Sequence, residues 1–144
     1  MRDEYNLKRF IGAQENKFEN ALNEIKNGRK QSHWMWFIFP QIAGLGFSET
    51  SKFYAIKNID EADLYLRHPV LGARLIDISK ALIVIEGKTA SQIFGSPDDL
   101  KLKSSMTLFS SIQNTDPVFE AVLKKYFNET KDFKTLQLIG IDTA

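Results

Sequence analysis

Residues 31–41 read QSHWMWFIFPQ and run on into IAGLGFSE, residues 42–49. The reading of this run decides the fold class. As a strand it would bring a sheet into the chain; as a buried extended or helical-turn segment it leaves an all-α protein. Its β-propensity is high, but apolar and polar residues do not alternate strictly, which argues against a half-buried strand. The run holds both tryptophans and one of the two histidines. So dense an aromatic stretch must be buried or line a pocket. The polar residues that bracket it (Gln31, Ser32, His33 and Gln41) suit a pocket wall better than a plain core segment.

Helix signals surround the run on both sides. Phe18, Leu22 and Ile25 repeat at helical spacing, predicting a helix over residues 15–27 that Gly28 ends, with a shorter one over 7–13. Gly44 and Gly46 mark a loop. Ser48 and the residues after it read as a capped start to a short helix carrying Phe53, Tyr54 and Ile56. Asp60 is expected to cap a helix over 61–67. Pro69 is expected to open a long one to residue 86, with Leu71, Leu75, Ile78, Leu82 and Ile85 on one face. Thr89 caps a short helix with Ile93 and Phe94. Ser96-Pro97-Asp98-Asp99 starts another, because both carboxylates fall in the first turn where the helix dipole favours them; it should reach residue 112. Asp116-Pro117 and Asp132 begin the last two. The expectation is a single all-α domain over residues 1–144, an irregular array of about eight short to medium helices.

Composition narrows the function classes. The chain has 144 residues, 43% of them hydrophobic, and no cysteine. Disulfides and thiolate metal sites are excluded, and a cytoplasmic setting is expected. The N-terminus lacks an apolar signal region, and the apolar run 34–40 is far too short to span a bilayer. The formal net charge is +1, so no broad electrostatic footprint for nucleic acid or membrane is expected.

Candidate chemistry comes from a few side chains. His33 and His68 stand apart with no acidic cluster at ligand spacing, so no metal site is expected. No nucleophile elbow exists, and Ser104-Ser105 read as small packing residues in a helix. Gly44 and Gly46 lead toward a helix start, where backbone N–H groups can hold an anion; the plain alternative is a tight turn. Glu49 follows the aromatic run closely, and desolvation there would raise its pKa and suit it to proton transfer; the plain alternative is a first-turn acid. Arg74 lies among apolar residues and calls for a carboxylate or phosphate partner, a structural ion pair being the bland reading. Lys52 is a second candidate cation. Trp34 and Trp36 share a face if extended and could stack on a base or sugar, but diverge in a helix; core packing is the default.

These residues carry a resemblance. SHWMWFIFPQ, then GLGFS, YLRHPVLGARL and IFGSPDDLKLKSSMTLF are similar to the blocks of bacterial proteins grouped as domain of unknown function 1810, some of which bear the label calpastatin, a misannotation in our reading. The likeness spans nearly the whole chain and implies a compact helical fold. More distantly, Phe47-Ser48-Glu49-Thr50-Ser51-Lys52-Phe53-Tyr54-Ala55 resembles a helix-opening block of the NADAR family, whose members process ADP-ribose and ribosyl nucleotides. Pro69 to Arg74, PVLGAR, resembles a later block. That mapping implies Glu49 as acid/base and Arg74 as a phosphate contact. It departs from the family where an acid-histidine pair would stand, here Glu49-Thr50, and at the C-terminus, LQLIGIDTA, which lacks the family's Trp-Gly block.

The resulting expectation is a small-molecule site for a nucleotide or ribosyl ligand, without cofactor. Glu49 would be catalytic, and His33, Trp34, Trp36, Gln41, Gly44, Gly46, Lys52 and Arg74 would bind. If the protein is an enzyme, it would hydrolyse an N-glycosidic bond. The rival is a non-catalytic interaction or structural module. Side chains of Glu49, Arg74, Trp34 and Trp36 converging on one concavity would favour the first. Oligomeric state is left open.

Overall fold

The computed structural model describes residues 4–141. Among them the chain forms ten helices and no strand: α1 (Lys8–Gln14), α2 (Phe18–Lys26), α3 (Met35–Ile38), α4 (Glu49–Tyr54), α5 (Ile59–Arg67), α6 (Leu71–Ile83), α7 (Ala90–Phe94), α8 (Asp98–Ser110), α9 (Val118–Phe127) and α10 (Phe133–Leu138). The all-α expectation holds, with more helices than the eight or so expected. The aromatic run makes the difference, since it coils into the single turn α3. Four residues cannot nucleate a stable helix alone, so α3 takes its shape from what it packs on, α1 on one side and α4 on the other.

Helices α6, α8 and α9 pack against one another or through a shared neighbour at the centre. α6 also contacts α2 and α5, while α8 also contacts α5, α7 and α10. A column of rings runs through the core. Phe10 meets Tyr65 edge-on at 5.0 Å, Tyr65 meets Phe109 at 5.4 Å, and Phe109 meets Phe119 at 5.8 Å, spacings at which aromatic pairs attract beyond their burial. The carbonyls left free at the end of α6 are taken by α9, whose Tyr126 hydroxyl donates to Leu82 O at 2.5 Å and whose Lys125 ammonium donates to Ile83 O and Ile85 O.

Several helix starts follow their caps. Thr89 and Gln92 form a complete capping box, and Ser48 and Asp132 accept from the backbone N–H three residues on. Other boundaries differ. α5 is capped by Asn58, which accepts from Glu61 N at 2.9 Å, so Asp60 lies inside the first turn and is not the cap. α6 does not open at Pro69. His68 Nδ1 accepts from Val70 N and Leu71 N, and the helix begins at Leu71 and ends at Ile83, short of residue 86. Ile56 leaves α4 to form a single parallel bridge with Ile42, through Ala43 N to Ile56 O (2.7 Å) and Ile56 N to Gln41 O (2.8 Å). α8 stops at Ser110, before residue 112.

The α5–α6 corner is tight. A Cβ on Gly72 would lie 1.8 Å from Leu66 O, a backbone atom, so only glycine lets the two helices meet there.

Candidate functional site

The polar flank of the aromatic run answers to one carboxylate. Glu24, on α2, accepts from Gln31 N (2.7 Å), Ser32 N (2.9 Å), Ser32 Oγ (2.6 Å) and Trp34 Nε1 (2.9 Å). Burial alone would raise its pKa, but these donors outweigh it and bring the carboxyl from an ordinary 4.5 to about 2. Trp34 is thereby fixed in the core, 1% exposed, against Phe39 and Phe94 at ring distances of 6.2 and 6.4 Å. The trimming by Gln31 and Ser32 therefore anchors the run and builds no pocket wall.

Because the folded-state value lies below the unfolded one, ionised Glu24 favours folding. Its contribution is complete above about pH 4.5 and is lost as pH falls toward about 2. Glu24→Gln is expected to lower stability at pH 7 by about 1–2 kcal/mol. It should also flatten the stability–pH curve across that window, read by urea unfolding at stepped pH.

The residues proposed for a site separate. Trp34, expected to stack on a ligand, is enclosed. Trp36 is half-buried on α3 under the Lys101 ammonium, 5.5 Å from the ring centre, so the two indoles diverge with the turn. His33 is exposed just before α3. Gly44 has φ +106°, and a Cβ there would meet Leu138 Cδ2 at 3.1 Å, while a Cβ on Gly46 would meet Ser51 Cβ at 2.5 Å. Both glycines serve the turn. Ser51 N, at the start of α4, is already taken by Ser48 Oγ at 3.1 Å.

Glu49 is exposed at the first position of α4, so the desolvation expected to tune it is absent. Arg74 is on α6, and reaches the aromatic run through Gln14. Its Nη1 donates to Gln14 Oε1 at 3.3 Å and its guanidinium lies 5.5 Å from the Phe18 ring centre. Gln14 in turn donates to Phe37 O (2.7 Å) and Tyr65 Oη (2.9 Å). Arg74 thus completes a buried polar hub through an amide, where a carboxylate or phosphate was expected. Glu49, Arg74, Trp34 and Trp36 do not share a concavity.

What does come together is smaller. Trp36, Gln41, Gly46, Ser51 and Tyr54 line a crevice of about 10 Å³, room for about one water. Ala55 connects it to an open groove of about 310 Å³ lined by Tyr5, Asn6, Arg9, Ala43, Lys52, Phe53 and Lys57. Neither Lys52 nor Lys57 forms an ion pair among the described residues. Arg9, by contrast, is fully engaged. It donates from Nε to Phe53 O (2.8 Å), from Nη1 to Tyr5 O (2.5 Å) and Asn6 O (2.9 Å), and from Nη2 to Ala55 O (2.9 Å) and Glu61 Oε2 (2.8 Å). Phe53 is 56% exposed.

Sequence reasoning missed Arg9, Glu61, Glu24 and Lys57. A usable signal existed only for Glu24, a carboxylate on α2 facing a following loop rich in N–H donors. Among the described residues no group of three His, Asp or Glu could hold a metal ion, and no helix is long and apolar enough to cross a membrane.

The family model described as "Protein of unknown function (DUF1810)" matches residues 4–139. The chain belongs to that family. Among solved structures, the conserved hypothetical protein Rv1873 from Mycobacterium tuberculosis is similar to this DUF1810 chain with a TM-score of 0.94 and 41% identity, covering 97% of this chain and 100% of that one. No curated protein matches the chain. The blocks read as family hallmarks now have positions: SHWMWFIFPQ is the Glu24-anchored run around α3, and HPVLGARL is the α5–α6 corner with Gly72.

Proposed function

We propose that this DUF1810 protein binds a small anionic ligand of nucleotide or ribosyl-phosphate type in the groove between the start of α1 and the end of α4. One observation carries the reading. Two lysines without acidic partners among the described residues, Lys52 and Lys57, and the exposed Phe53 ring line the same concavity. The lysines would hold phosphate, and the ring offers a stacking face to a base. The groove's volume, about 310 Å³, is at the lower end for small-molecule sites.

Glu49 enters this reading through helix geometry. Glu49, Lys52 and Phe53 stand at i, i+3 and i+4 and so share a face of α4. The likeness of residues 47–55 to the NADAR block supports an acid/base role there. Glu49 would act as general base, taking a proton from the water that adds to the oxocarbenium-like carbon, while the carbon–nitrogen bond breaks and the leaving base keeps the bonding pair and is protonated by solvent. Arg74 and Trp34 have no part in it.

The test is a calorimetric titration with ribose 5-phosphate, AMP and ADP-ribose. Saturable binding is expected, with Lys52→Ala/Lys57→Ala weakening it about tenfold or more through the loss of two charged contacts. Glu49→Gln should retain binding and abolish release of free adenine from AMP or ADP-ribose. Absence of binding across the whole panel would sink the reading. The rival, a non-catalytic interaction module, would require Phe47, 83% exposed, to form one contiguous apolar patch with Phe53. On that reading Phe47→Ser lowers partner affinity, while the nucleotide panel has no effect.

A further inference from the structure

On the other side of the Trp34 cluster lies a second concavity, of about 520 Å³, lined by Arg29, Lys30, Gly87, Lys88, Ser91, Gln92, Ile93, Phe94 and Gly95. We infer that this groove is a separate binding site for a phosphate-bearing small molecule. The argument rests on its inventory of donors and charges. Three cations line it and no carboxylate does. Lys30 is neutralised by Asp98 at 2.9 Å and lies 5.1 Å from the Trp34 ring centre, which places its role in the wall. Arg29 and Lys88 form no ion pair among the described residues, and both are exposed.

The polar groups around these cations are biased toward donation. Lys88 Nζ donates one proton to Gly28 O at 2.9 Å, which fixes the ammonium at the rim and leaves two protons. Gly28 makes that approach possible, because a Cβ there would lie 2.8 Å from Lys88 Nζ. Gln92 spends its Oε1 on Thr89 N at 2.8 Å in the capping box, so its amide NH₂ is what remains to offer. Ser91 adds a hydroxyl. Below them Ile93 and Phe94 are buried and form a rigid floor, tied to the opposite wall by Lys30 N donating to Ile93 O at 2.7 Å. A guanidinium, an ammonium, an amide NH₂ and a hydroxyl match the acceptor oxygens of a phosphate group and offer little to a cation or an amine.

The probe is inorganic pyrophosphate, followed by amide chemical shifts and by melting temperature at low salt. Saturable shifts at residues 28–30 and 87–95, unchanged in Lys52→Ala/Lys57→Ala, with a rise in melting temperature, are expected. Arg29→Ala should weaken binding about three- to fivefold, and Lys88→Gln, which keeps a donor for Gly28 O, should do the same without loss of fold. Lys52→Ala/Lys57→Ala should leave it unchanged, which separates this site from the α4 groove. Shifts spread over all surface lysines, or affinity unaltered by Arg29→Ala and Lys88→Gln, would overturn the inference.

Discussion

Replacing Glu61 by Gln should cost this protein about 3–5 kcal/mol of folding stability, the range found when one partner of a buried ion pair is removed. The pair is enclosed. The Arg9 and Glu61 side chains are 6% and 0% exposed, at 2.8 Å. Glu61 Oε1 also accepts from Lys57 N at 2.7 Å. The amide substitute leaves the guanidinium charged, buried and without a counter-ion, and places an NH₂ where one of two donors now points. Arg9→Met combined with Glu61→Leu should recover part of the loss, because no charge is then stranded, although the carbonyls of Tyr5, Asn6, Phe53 and Ala55 lose their donor. Urea unfolding of the three proteins measures both effects. A loss below about 1 kcal/mol for Glu61→Gln would mean that water reaches the pair.

Gly72→Ala is expected to be of similar size, about 3–4 kcal/mol. Alanine is the better helix former and on propensity alone would stabilise α6 by about 1 kcal/mol. The contact reverses the sign. The new methyl would sit 1.8 Å from Leu66 O, and a backbone carbonyl in α5 cannot swing aside as a side-chain tip could. Either α5 and α6 separate, opening the contacts of Leu71 and Tyr65, both fully buried, or the corner unwinds. A stabilised Gly72→Ala protein, by melting temperature, would show that the corner opens freely.

Much of the helical framework was legible because its signals are local. Thr89 with Gln92, Ser48, Asp132, and Gly28 and Gly95 at helix ends act within one turn of the chain, so residue type and spacing are enough to read them. Asn58 and His68 were missed for a related reason. Each sits one or two residues from a more familiar signal, Asp60 and Pro69, and only the backbone geometry decides which side chain reaches the free N–H groups. The turn α3 has no internal period and is shaped by α1 and α4, so residue type alone left it open between an extended and a helical-turn segment, of which the second is found. The candidate site was legible in part. Lys52 does face a groove, and Trp36, Gln41 and Gly46 do meet. Trp34 and Arg74 did not follow, because their partners, Glu24 and Gln14, are polar groups that nothing in spacing connects to them. Arg9 and Glu61 are 52 residues apart, and a contact that long leaves no local trace.

That span bears on how the molecule assembles. The Arg9 guanidinium gathers acceptors from residues 44, 46 and 52 positions further along the chain, so none of those bonds can form until a long loop has closed. Helices α8 and α9 are neighbours in sequence and can condense early, whereas α6 meets α9 through Lys125 and Tyr126 over 40–44 positions, a closure about as long as those of Arg9. Arg9 is a latch that holds the first helix to the end of α4 and to α5. Its release would free the first helix, open the wall of the Lys52 groove and draw Phe10 off the end of the ring column while Tyr65, Phe109 and Phe119 stay packed, a partial opening that hydrogen exchange distinguishes from global unfolding.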